Sequence, residues 1–164
     1  MNRPLIRIPG LNASRVDADG DVWFRGTGTI AYDPARGDMK RKTQWWCVIN
    51  TDPEIARYYR YWVNKRRNPL GLNGHDLHLP AWGAHVTVFR GEKPKPEFMH
   101  LWKAYEGKTV DFWYKHRVEN RFRGEEGNSP YWFLEVDCPF AKRMRDEMQV
   151  PSNWLFHFTV GRTY

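Results

Sequence analysis

The sequence predicts a single α+β domain over residues 1–164. Three observations lead there. Short β-branched and aromatic runs alternate with helical patterns in the order β, β, α, β, α, β, β, α, β. A length of 164 residues suits one domain with a real core, and no linker-like stretch divides it. Hydrophobic residues make up 41% and aromatics 16%, with nine Trp, which is too apolar for a disordered chain.

The elements follow in order. Residues 22–32 (VWFRGTGTIAY) are strand-forming but hold two glycines, which imply a bend or a close approach of backbone. Residues 43–50 form a second, apolar strand. Thr51-Asp-Pro-Glu then opens a helix with a cap, an early proline and an early acid, and Ile55, Tyr58, Tyr59, Trp62 and Val63 recur at helical spacing. Asn68 to Gly74 is a turn-rich loop. Residues 82–91 (WGAHVTVFRG) read as a strand, 97–105 as a short helix and 109–118 as a strand. Residues 119–130 read as a polar loop, 131–137 as a strand, 139–148 as a basic helix and 153–162 as the last strand.

Charge narrows the function. Lys and Arg number 26 against 19 Asp and Glu, a net charge of +7, so anionic partners such as nucleotides lead. Cys47 and Cys138 are the only cysteines and have no zinc-ligand spacing; Cys47 reads as a core residue. The first ten residues lack a signal-peptide apolar run, and no segment approaches a membrane span. A soluble cytoplasmic protein is the expectation.

One internal repeat carries chemistry. His85-Val-Thr-Val-Phe-Arg and His157-Phe-Thr-Val-Gly-Arg lie 72 residues apart, and each falls on an expected strand. Strand alternation puts His85 with Thr87 on one face and Val86 with Val88 on the other, and likewise His157 with Thr159 against Phe158 and Val160. A single His-x-Thr on a strand means little; two with matching flanks point to a site. Two imidazoles supply an acid and a base near neutral pH without a metal, and two hydroxyls can bond phosphate oxygens. Arg90 and Arg162 also repeat, but their odd offset from His puts them on the opposite face unless the strand ends or bulges first.

The paired motifs resemble the two-histidine (2H) phosphoesterase superfamily. The resemblance implies two pseudo-symmetric lobes with antiparallel-rich sheets around a central cleft, His85 and His157 as acid and base, Thr87 and Thr159 as phosphate binders, and no metal or other cofactor. Pro9-Gly-Leu-Asn12 and the block from His85 to Pro94 are similar to the phage anti-CBASS nucleases, which implies hydrolysis of 3′–5′ bonds in cyclic di- and trinucleotide signals, in the host cytoplasm. Opening of 2′,3′-cyclic phosphates, trimming of short RNA, and binding without turnover stay open as alternatives. No protein partner is called for.

Base-stacking candidates are Trp113, Tyr114, Tyr32, Trp45 and Trp82. His75, Asp76, His78 and His85 have no trusted metal spacing. His100 and His116 read as surface residues, and Lys142-Arg-Met-Arg145 as a solvated helix face.

Overall fold

A computed structural model describes residues 14–35, 43–80, 82–121, 130–152 and 155–163. Seven strands are present: β1 (Ser14–Val16), β2 (Val22–Tyr32), β3 (Trp46–Thr51), β4 (His85–Arg90), β5 (Thr109–Arg121), β6 (Tyr131–Asp137) and β7 (Phe156–Arg162). The helices are α1 (Pro53–Arg67) and α2 (Pro139–Glu147), with a 3-10 turn at Pro96–Leu101 where a short α-helix was expected. Among the described residues no helix is long and apolar enough to cross a membrane.

The fold is α+β with antiparallel pairing throughout. The sheet runs β2-β3-β4-β7-β6-β5, and β5 pairs back onto β2, so six strands close into a barrel, with β1 added beside the start of β2. The order strand, strand, helix, strand occurs twice, as β2-β3-α1-β4 and as β5-β6-α2-β7. The β2–β5 pairing joins these halves into one closed sheet, so they do not stand apart as separate lobes.

Local sequence explains the elements. Asp52 caps α1, accepting a hydrogen bond from the Glu54 N–H at 2.9 Å, with Pro53 in the first turn. Ile55, Tyr59 and Val63 of α1, with Ala141 and Met144 of α2, pack into one apolar cluster with Ile49, Val86, Leu134 and Phe158 of the strands. The glycines of β2 serve close approach rather than a bend. A Cβ at Gly26 would lie 2.7 Å from the Phe112 ring, and one at Gly28 would lie 2.5 Å from the Asn50 carbonyl oxygen. Cys47 is fully buried in the same cluster, as expected.

Several expectations need correction. β4 begins at His85, three residues later than the sequence pattern suggests, and Trp82 lies in a turn before it. β5 extends through Arg121, so residues 119–121 are strand; the rest of the expected loop, 122–129, lies outside the described residues, as does Pro9–Asn12. The basic run of α2 is a solvated face only in part, with Lys142 and Arg143 exposed. Met144 and Arg145 are buried, and Arg145 is 2% exposed.

Candidate active site on β4 and β7

Strand alternation places the four motif residues as the sequence requires. Val86, Val88, Phe158 and Val160 are fully buried, while His85, Thr87, His157 and Thr159 are half-buried on the other face. The tertiary structure adds where the strands meet. β4 pairs antiparallel with β7 at Val86 and Phe158. In an antiparallel ladder, opposite residues share a face, so one step outward His85 comes alongside Thr159 and Thr87 alongside His157. One pairing thus gathers two motifs that are 72 residues apart.

The neighbouring strands complete each half in the same way. On β3, Val48 is the partner of Thr87 and Asn50 of His85; on β6, Phe133 is the partner of Thr159 and Glu135 of His157. Between these pairs and the strand ends, both ladders slip. Cys47 pairs with Phe89 while Val48 pairs with Thr87, and Trp132 pairs with Gly161 while Phe133 pairs with Thr159. Val88 and Val160 are therefore each an extra residue, a β-bulge at the same place in both motifs. Each bulge reverses the phase of alternation beyond it. Arg90 then pairs with Trp46, its guanidinium 6.0 Å from the indole centroid, and Arg162 pairs with Tyr131 at 5.5 Å from the ring. The odd-offset objection to these arginines is thereby answered: both turn to the histidine face.

The histidines are held alike. His85 Nδ1–H donates to the Gly83 carbonyl oxygen at 2.9 Å, since a carbonyl can only accept. His157 makes a backbone hydrogen bond to Leu155, also two residues upstream. The Trp46 indole meets the His85 ring edge-on at 5.5 Å, and its Nε1–H donates to Thr87 Oγ1 at 3.4 Å. His157 packs against Tyr131 at 5.8 Å and Phe133 at 5.5 Å. Burial, and then the positive fields of Arg121, Arg162 and Arg90, hold the His157 pKa below the ordinary histidine value, against the backbone bond that favours the charged ring.

Arg145 braces the first bulge. Its guanidinium donates to the Val88 carbonyl at 2.6 Å and to both oxygens of Glu92 at 2.8 Å. Glu92 in turn accepts from the Arg90 N–H at 3.3 Å. A buried cation thus occupies the place where β4 bulges and brings Arg90 to the face of Trp46.

Comparison with family models, curated proteins and solved structures gives no match. The chemistry below therefore rests on side chains and strand register.

The other sequence candidates divide. Trp113 is half-buried beside Arg15, whose guanidinium lies 4.8 Å from its ring. Tyr114 and Tyr32 are buried in the helix-side cluster, so their rings are closed to a stacked base. Trp45 packs on Trp102 at 5.3 Å; its neighbour Trp46 is the indole at the motifs. Strand parity could have shown this, since Cys47 and Ile49 face the core and leave Trp46 and Val48 for the other side. Tyr131, Phe133, Glu135 and Arg121 were also missed, because nothing in their own segments marks them until β7 lies alongside. His75, Asp76 and His78 are exposed, and Asp76 accepts from Asn68 Nδ2 at 3.0 Å. Among the described residues no three His, Cys, Asp or Glu side chains are grouped to hold a metal ion. His100 is exposed; His116 is also exposed but its Nδ1 lies 2.8 Å from the Tyr59 hydroxyl.

Proposed function

We propose that this chain is a phosphodiesterase of the two-histidine kind, working without a metal on 3′–5′ bonds of cyclic di- and trinucleotides. The observation that carries the reading is the Val86–Phe158 pairing, which puts two His-x-Thr motifs and two cation-bearing bulges on one face. The repeated element order supports two pseudo-symmetric halves around a cleft centred on that pair.

In this scheme His157, kept neutral by burial and three arginines, takes the proton of the attacking oxygen, a ribose 2′-OH or water. The P–O5′ bond breaks, and the leaving oxygen takes its proton from His85. Thr87 and Thr159 donate to the non-bridging oxygens, and Arg90 and Arg162 offset the charge on the phosphoryl group. Cutting host signalling nucleotides in this way would blunt antiphage immunity of the CBASS type.

The test incubates the protein with cyclic dinucleotides, 2′,3′-cyclic mononucleotides and short RNA in EDTA, and resolves the products by chromatography. Cyclic dinucleotides should open to linear products, and His85→Ala and His157→Ala should each lower the rate by roughly 10²–10⁴-fold. Full activity in either variant, or unaltered cyclic dinucleotide after long incubation, overturns the reading.

A further inference from the structure

The face that carries His157 continues into a cavity of about 250 Å³, lined by Arg15, Trp23, Glu135, Asp137, Lys142 and Leu155 among others. Its place relative to the catalytic histidine is set by register. Glu135 is the ladder partner of His157, so the two side chains stand side by side on one face. Asp137 lies two residues further along β6 on that face, and Leu155 lies two residues before His157. The cavity therefore begins where a phosphate held by His157 would pass its ribose and base.

The wall residues contact one another through charge and ring contacts. The Arg15 guanidinium donates to Asp137 Oδ2 at 2.6 Å and lies 5.2 Å from the Trp23 ring centroid and 4.8 Å from that of Trp113. Lys142 donates to Asp137 Oδ1 at 3.4 Å, so both oxygens of that carboxylate are taken. Lys115 donates to Glu135 Oε2 at 3.2 Å, and among the described residues no donor meets Glu135 Oε1. A flat indole and a planar guanidinium suit the face of a base. A carboxylate oxygen only accepts, so it suits an amino group on the base edge and opposes a carbonyl oxygen in that position.

We infer that this cavity receives the base next to the scissile phosphate and that Glu135 selects bases bearing an exocyclic amino group. Adenine, guanine and cytosine share that chemistry; hypoxanthine and uracil place a carbonyl oxygen where the amino group of adenine or cytosine stands. The inference rests on the phosphodiesterase reading for its rates, but its binding arm does not.

Cleavage of cyclic di-AMP, cyclic di-GMP and cyclic di-CMP is compared with that of cyclic di-IMP and cyclic di-UMP, in the wild type and in Glu135→Gln. The best amino-bearing substrate should exceed both deaminated ones at least about tenfold in kcat/KM. Glu135→Gln should shrink that ratio to about threefold or less, since an amide also donates. Equal cleavage of both classes, or an unchanged ratio in Glu135→Gln, overturns the inference and leaves the phosphodiesterase reading standing. If no cyclic dinucleotide is cut, that reading falls, and calorimetry with AMP, GMP and CMP against IMP and UMP decides the inference alone. Binding of an amino-bearing nucleotide about tenfold tighter sustains it; equal binding, or none, overturns it.

Discussion

β4 and β7 carry the same motif in the same register, yet the molecule supports them by different means. On β4 the bulged Val88 carbonyl is met by a buried charge, Arg145, which is tied to Glu92. On β7 the strand end is met by backbone: His78 N–H donates to the Arg162 carbonyl at 2.8 Å, and Arg162 N–H donates back at 2.9 Å. Leu77, buried beside Gly161, pins that segment in place. The histidines differ in the same way. The Trp46 indole meets the edge of His85, while Tyr131 and Phe133 both pack on His157, whose pKa the fields of Arg121, Arg162 and Arg90 help to lower. A shared geometry at the two His-x-Thr motifs thus tolerates unlike scaffolds, provided each fixes its bulge.

The contrast can be tested from its strongest point downward. Arg145→Met removes the brace of the first half and leaves the Glu92 carboxylate and the Val88 carbonyl without their cation. Glu92 keeps some water contact, with its side chain 30% exposed, so the loss should fall near the lower end for a broken buried pair, about 3 kcal/mol in urea unfolding. Arg145→Met with Glu92→Gln should recover part of that loss. An Arg145→Met variant as stable as the parent would show that the bulge stands without the cation.

Gly161→Ala strikes the brace of the second half. Its Cβ would lie 2.9 Å from Leu77 Cβ, forcing the Leu77–His78 segment away from β7. The expected cost is about 1–3 kcal/mol by the same measurement, smaller than for Arg145→Met because no charge is stranded. Losses in the reverse order would invert the assignment of the two braces.

The finest difference is electrostatic. The Arg121 field disfavours protonation of His157. In Arg121→Gln the imidazole should take its proton at higher pH, so the acid limb of the kcat/KM profile should move up in pH. An NMR titration of the His157 ring protons reads the same movement without turnover. An unmoved limb together with an unmoved titration would remove Arg121 from the site's field.

How much was legible depended on the range of the interaction. The cap at Asp52, the strand 22–32 and the alternation around each His-x-Thr pair are local, and each was readable. Arg145 was not, because its acceptors, Val88 and Glu92, lie 57 and 53 residues away, and a basic run on a helix reads as solvated until those acceptors are beside it. Tyr114 and Tyr32 read as stacking candidates because aromatic residues in strands suit a cleft and a core equally well; the closed sheet put them in the core.

By itself the sequence determined which side chains share a face, since a strand alternates with period two whatever its partners are. It thereby placed His85 with Thr87 and His157 with Thr159. Only the tertiary structure decided that these faces coincide, through the Val86–Phe158 pair, and that Arg90 and Arg162 join them. The reason is that a bulge is defined by one residue too many relative to a partner strand, and a partner strand is not written in the segment that bulges.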